Sequence, residues 1–192
     1  MKTIRKITFV LSALILLAEV LSAQVTLEGV TLPGTLGRNG KLLSLNGGGV
    51  RNSSFIDVYV AGLYVKTKSN KAADIINADE PMAVRIQIIS SMLTKERMSE
   101  AIKDGFLEST NGKIKPIEKE VEMILQVFNS GPINVGDYFD IWYFPNEGIA
   151  AWKNGVKYDV LIPGFTLKKY LFGIWLGKNP VDYPLKDKLL GK

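Results

Sequence analysis

The 192-residue sequence contains neither histidine nor cysteine. Without histidine there is no Ser–His–Asp or Cys–His catalytic pair and no His-ligated metal. Without cysteine there is no disulfide, thiolate zinc, iron–sulfur cluster or thiol nucleophile, and no lipid anchor on an N-terminal cysteine. Chemistry is left to Arg, Lys, Tyr, Ser, Thr, Asp, Glu, backbone groups or a bound ligand, and no motif implies a cofactor or metal. Long apolar runs are scarce as well. Beyond the N-terminus nothing approaches the roughly 20 residues needed to span a bilayer. Charge of one sign is not in excess: the formal net charge is +5. Lys2, Arg5 and Lys6 contribute to that value, so the rest of the chain gives no electrostatic case for nucleic acid.

The N-terminus itself reads as a targeting segment. Three cations (Lys2, Arg5, Lys6) precede an unbroken run of apolar and small residues from Ile7 to Leu17, and Leu21-Ser22-Ala23-Gln24 follows. That order is the one a secretory signal peptide uses. Cleavage is expected after Ala23, or one residue earlier after Ser22; an uncleaved N-terminal anchor is the alternative. The expected division is therefore a signal peptide over 1–23 and one domain over 24–192, long enough to bury roughly 70% of its unfolded surface. An exported chain without cysteine relies on packing alone. This suits a bacterial periplasm or exterior better than a eukaryotic secretory route, where small domains are often disulfide-rich.

Periodicity organises the remainder. Gln24 to Thr31 alternates loosely and predicts a strand; Lys41 to Leu45 predicts a second, running into Asn46-Gly47-Gly48-Gly49-Val50-Arg51. Phe55 to Lys66 is apolar on both faces except for Asp57, which predicts a central strand covered on both sides. A short helix is expected over Lys71–Ala78, and a strand with one wet face over Met82–Ser90. Thr94 is placed to cap a helix to Ser109 whose apolar stripe is Met98, Ala101, Ile102, Gly105 and Phe106. Pro116 suits the first turn of a further helix. Strands over Asp137–Phe144, Ile149–Lys153 and Val156–Ile162 follow, the last two joined at Asn154-Gly155, and a long helix begins after Pro163-Gly164. Strands before and after a helical block, with tight turns, favour an α+β fold with a largely antiparallel sheet.

Few residues invite chemistry. The glycine run lacks the spacing of a dinucleotide loop and leads into a strand rather than a helix, so close backbone approach at a strand end is the expected role. Asp137, Asp140 and Glu147 lie close in sequence. However, Asp137 and Asp140 have opposite strand parity, so they do not form an acid pair and are expected in turns or at the surface. Arg51 stands apart. Its guanidinium cannot shed its proton beside apolar walls and needs a counter-anion, either a protein carboxylate such as Asp57 or a ligand. Tyr59 shares strand parity with Asp57 and could join Arg51 at a ligand's polar end, or be a core aromatic with one hydrogen bond. Met98, Ile102 and Phe106 read as core, or as the wall of an apolar slot if their helix stands off the sheet.

Asn46-Gly47-Gly48-Gly49-Val50-Arg51 followed by Val58-Tyr59-Val60-Ala61-Gly62-Leu63-Tyr64-Val65 resembles the signature of the chalcone isomerase-like family. Ile174-Trp175-Leu176-Gly177-Lys178-Asn179-Pro180 and Leu189-Leu190-Gly191 are similar to its C-terminal pattern, and the likeness runs from about Leu27 to Gly191. The resemblance implies an open-faced β-sandwich, a large antiparallel sheet packed against a layer of helices with a ligand cleft between. It implies one of three roles: an isomerase (intramolecular lyase) that cyclises a chalcone, a non-catalytic fatty-acid binder, or an exported bacterial relative of unsettled role. The isomerases' arginine corresponds to Arg51. Their strand threonine falls at Tyr59, their helix tyrosine at Met98 and their asparagine at Gly105.

Met98 and Gly105 donate no hydrogen bond, and loss of one transition-state donor typically costs about 2.7–4 kcal/mol. The pattern favours binding over catalysis. The expected function is an exported binder of a fatty acid or similar apolar carboxylate, with Arg51 and Tyr59 at the carboxylate and Met98, Ile102 and Phe106 along the chain. An isomerase using Arg51 and Tyr59 on an enone is the enzymatic alternative. A structural or interaction protein with a closed cleft is the third.

Overall fold

In a computed structural model, residues 24–192 are described; the expected signal peptide lies outside them. The strands are β1 (Val25–Leu27), β2 (Val30–Leu32), β3 (Thr35–Arg38), β4 (Lys41–Ser53), β5 (Ile56–Val65), β6 (Met82–Ile88), β7 (Tyr138–Phe144), β8 (Gly148–Lys153) and β9 (Val156–Ile162). The helices are α1 (Ala72–Asn77), α2 (Lys95–Ser109), α3 (Glu118–Asn129), α4 (Phe165–Leu176) and α5 (Tyr183–Leu189). Strands β3 to β9 form one seven-stranded sheet in chain order, with every neighbouring pair antiparallel. Such a meander needs no crossover, so its helices can gather against one face. The α+β expectation is met. No helix among the described residues is long and apolar enough to cross a membrane.

Side-chain alternation divides the interior in two. Tyr59, Ala61, Leu63, Val84, Ile86, Phe139, Ile141 and Tyr143 face the helices, packing with Ile102, Phe106, Val121, Phe128, Leu171 and Trp175. Val60, Tyr64, Trp142, Phe144 and Trp152 point the other way and are partly covered by the β1–β2 hairpin through Val30 and Leu32. β5 is thus buried on both faces, as its composition requires. The segment Gln24–Thr31 is two short strands, not one, because Glu28 and Gly29 both take positive φ and turn the chain.

The glycine run lies inside β4, a 13-residue strand, rather than at a strand end. Close approach is nevertheless its role. A Cβ on Gly47 would strike the Lys188 carbonyl oxygen, and one on Gly49 would come within 2.7 Å of Lys188 Cβ, so α5 rests directly on the strand backbone. On the opposite face a Cβ on Gly48 would lie 2.5 Å from Leu32 Cδ1. Asn46 fastens the same contact. Its Nδ2 donates to the carbonyls of Leu189 (2.7 Å) and Ser69 (3.0 Å), and its Oδ1 accepts from the Ser69 amide at 2.9 Å.

One of the carboxylates expected in turns or at the surface is interior. Asp140 is 1% exposed and accepts from Arg85 Nε at 2.6 Å and Nη2 at 2.8 Å, with Arg38 Nη2 at 3.4 Å. The surface expectation for Asp140 is corrected: strand parity sends it to the outer face, where Arg85 on the neighbouring strand sits opposite. Asp137 does serve a turn, accepting from Asn154 Nδ2 and the Asn134 amide, and pairs with Lys153 at 2.8 Å.

Lys168 on α4 is fully buried, and its Nζ donates to the carbonyls of Ile75, Ile76 and Ala78 at 2.9, 2.8 and 2.7 Å. It therefore closes the C-terminal end of α1, where backbone acceptors lack helical partners. Dehydration pulls its pKa down to about 8, partly offset by the Asp79 carboxylate. Between about 8 and the ordinary 10.5 the unfolded chain holds this proton and the folded one has released it, so stability rises with pH across that window. The slope from this group is at most about 1.4 kcal/mol per pH unit. Urea titrations at several pH values should show it in the native protein and not in Lys168→Met.

Candidate functional site

Arg51 lies on β4 opposite Tyr59 on β5, on the helix-facing side of the sheet. The register then breaks: the next pair is Asn52 with Asp57, which leaves Val58 as the extra residue of a bulge. The bulge turns both Val58 and Tyr59 toward the helix layer, where both are buried. Bulges re-aim side chains in this way beside sites of function. Past the bulge the strands close through a two-residue turn, Ser54-Phe55.

Arg51 has no ion pair among the described residues. Its Nε is buried and has no hydrogen-bond partner, and its guanidinium carbon lies 5.7 Å from the Tyr59 ring centroid. The expected protein counter-ion does not supply the anion: Asp57 is exposed and accepts from Asn52 Nδ2 at 3.1 Å. Asp182 is occupied with the amides of Asn52 (3.1 Å) and Leu185 (2.8 Å), the second being the cap of α5. Trp142 Nε1, in the outer core, is another buried donor without a partner, and no neighbouring group accounts for it.

Tyr59 is 3% exposed, and its hydroxyl accepts from Trp175 Nε1 at 2.9 Å. Burial pushes its pKa up, against the opposing pull of the Arg51 charge and the Trp175 bond. The phenol stays protonated and, with Trp175 on the oxygen, can still donate.

Arg51 forms part of the floor of a cleft of about 620 Å³ between the sheet and α2. Ile56 and Val58 continue the floor, and Ser53 and Ser54 of the hairpin form one lip. Met92 and Leu93 stand at the start of α2, and Asn179, Pro180 and Val181 close the far side. The α2 wall consists of Arg97, Glu100, Ala101, Asp104, Gly105 and Glu108. The cleft is large enough for a drug-sized ligand, and its walls mix apolar and charged groups. Among the described residues no three carboxylates are grouped closely enough to hold a metal ion.

The helix-wall expectation is corrected. Met98, Ile102 and Phe106 are 3%, 4% and 0% exposed, packed into the main core and absent from the cleft wall. α2 packs tightly on α4 instead of standing off. A Cβ on Gly105 would lie 2.7 Å from Ile174 Cγ2, and one on Gly173 would lie 3.2 Å from Ser109 Cβ. With Met98, Ile102 and Phe106 sealed inward, the adjacent charged stripe faces the cleft beside Ala101 and Gly105. Nothing in the sequence separates Arg97, Glu100, Asp104 and Glu108 from an ordinary solvated helix face. The structure thus brings Arg51 and Tyr59 together, with Tyr59 beneath the cleft rather than on its wall.

Comparison with known proteins agrees with this fold. The chalcone isomerase-like family matches over residues 24–191. The chain belongs to that family. No curated protein sequence matches it. Among solved structures, a fatty-acid binding protein of Arabidopsis thaliana superposes with a TM-score of 0.66 at 18% identity, covering 87% of this chain and 95% of that one. The superposition shows a shared fold. In this chalcone isomerase-like chain the glycine–valine–arginine segment delivers Arg51 to the cleft floor.

Proposed function

We propose that the protein is a non-catalytic binder of a fatty acid or similar apolar carboxylate, held in the cleft between the sheet and α2. The observation that carries this reading is the buried, unpartnered Nε–H of Arg51 on the cleft floor. A guanidinium keeps its charge, and a buried donor left unsatisfied is costly, so the site is complete only with an acceptor. A carboxylate satisfies both the charge and the fork geometry. The Tyr59 phenol, whose ring centroid lies 5.7 Å from the Arg51 guanidinium carbon, supports the reading as the proposed second donor. Ile56, Val58, Leu93 and Val181 offer the ligand's chain an apolar path.

The fatty-acid binding role of the structural neighbour supports the same ligand class. Two further details favour binding over isomerisation. Met98 is sealed in the core, and the space beside Gly105 is filled by Ile174, so neither position can present a hydrogen bond to an enolate. Export to a periplasm or the exterior remains part of the proposal and is tested by sequencing the N-terminus of protein recovered from its host.

Native mass spectrometry of protein purified from cells should show a lipid-sized adduct, and added palmitate should raise the melting temperature. Arg51→Ala should lose both, because removing one partner of a desolvated charged contact costs about 2–5 kcal/mol. Unchanged palmitate binding in Arg51→Ala, or no adduct and no melting shift in the native protein, would remove this reading.

A further inference from the structure

Four two-residue turns join strands of this chain: Glu28-Gly29, Asn39-Gly40, Ser54-Phe55 and Asn154-Gly155, each closed by a cross-strand pair. All eight residues take positive φ. The geometry favours glycine at the second position, and three of the turns have it. The fourth has Phe55, at φ 69°. A bulky residue in that region is a backbone outlier with a conformational cost. Phe55 recovers nothing by packing, being 100% exposed. Folding therefore gives no account of this side chain.

Its position does. Phe55 sits between Ser54 and Ile56, both of which line the cleft, and Met92, which lines it too, is 45% exposed. Arg97 also lines the cleft and donates from Nη1 to the Met92 carbonyl at 3.0 Å, and Lys95, 3.9 Å from Glu96, begins the same helix. Phe55 and Met92 are thus exposed apolar side chains at this cleft, whose wall carries both signs of charge through Arg97, Glu100, Asp104 and Glu108.

We infer that the Phe55 turn and Met92 dock the protein on a lipid bilayer, with the cleft mouth against the surface from which an apolar acid is taken or to which it is returned. The inference rests on the ligand class proposed above. A protein partner would need a broad complementary patch with an apolar centre. Two separate protruding side chains suit a deformable apolar phase, in which an aromatic ring buries readily and reversibly.

The test uses vesicles of phosphatidylglycerol and phosphatidylethanolamine with the full chain, compared between variants so that any contribution of residues 1–23 cancels. Phe55→Ser should bind vesicles at least about tenfold more weakly. Phe55→Gly should do the same while its melting temperature holds or rises. In Phe55→Trp, emission should shift to the blue on vesicle addition; Trp142, Trp152 and Trp175 are buried and supply a constant background. Equal vesicle binding by native protein and Phe55→Ser, an emission spectrum of Phe55→Trp that vesicles leave unmoved, or a large loss of stability in Phe55→Gly would overturn the inference. So would Phe55-dependent self-association without vesicles. Palmitate binding in vesicle-free buffer separates the two readings. Retained there by a native protein that ignores vesicles, it overturns the docking surface alone. Absent there while Phe55-dependent vesicle binding persists, it retires the cleft ligand and supports the docking surface.

Discussion

Asp140→Ala should lower the stability of the folded protein by about 3–5 kcal/mol, the range expected when one partner of a buried ion pair is removed. The carboxylate is 1% exposed and holds two guanidiniums, bidentate to Arg85 and at 3.4 Å to Arg38. Both arginines are further committed. Arg85 lies 4.6 Å from the Tyr138 ring centroid and Arg38 lies 4.9 Å from that of Trp152, so neither can swing into water without losing that contact. Removing the carboxylate therefore leaves two cations side by side against an apolar face. In a urea titration the midpoint should fall with the slope unchanged. Asp140→Asn, which keeps the shape and one acceptor, should lose less. The double variant Asp140→Leu with Arg85→Met should recover much of the deficit, since an apolar replacement of the whole pair leaves no unmatched charge. A loss below about 1 kcal/mol in Asp140→Ala, the size expected of a surface pair, would show that the arginines find solvent and that the pair is not structural.

Gly47→Ala should cost about 3 kcal/mol, at the upper end of what an added methyl in a packed interior does. The new Cβ would collide with the Lys188 carbonyl oxygen and lie 2.8 Å from that of Leu189. Both obstacles are backbone atoms, which cannot rotate aside. The strand is equally constrained, because its other face is packed against Leu32 at Gly48. Relief must come from α5 lifting away, which would break the Asn46 bond to the Leu189 carbonyl and uncover Leu185 and Leu189, 1% and 0% exposed in the native chain. Trypsin should then cut after Lys186 or Lys188 much faster than in the native protein. Gly131→Ala is the matched control: nothing lies within 4 Å of its Cβ and its φ is ordinary, so stability should be unchanged. An unaltered digestion pattern in Gly47→Ala would show that the glycine run is not what seats α5.

Much of this architecture is legible in the residues. The strands of β5, β6 and β7 alternate as half-buried or fully buried strands must, Thr94 caps α2 at 3.4 Å, and the Asn154-Gly155 turn stands where the dipeptide places it. Other features depend on partners distant in sequence. Asp140 reads as a surface residue because nothing near it in the chain reveals Arg85, 55 positions away. The burial of Lys168 has no local signal, because the carbonyls that receive it come from α1, more than 90 residues earlier. The site divides along the same line. Arg51 is marked by its glycine run. The exclusion of Met98, Ile102 and Phe106 from the cleft is not marked, since it depends on how closely α2 approaches α4.

The family is legible in the quoted motifs, and the antiparallel α+β layering and the arginine in need of an anion are legible because periodicity, turn residues and the charge of a guanidinium are local properties. Which face of α2 meets the cleft, the lack of any acid paired with Arg51 among the described residues, and the bare position of Phe55 beside the opening emerge from the folded arrangement alone. Those outcomes follow from the close approach of glycine-bearing backbones and from contacts between elements far apart in the chain. They depend on distances of a few ångströms that no local pattern encodes.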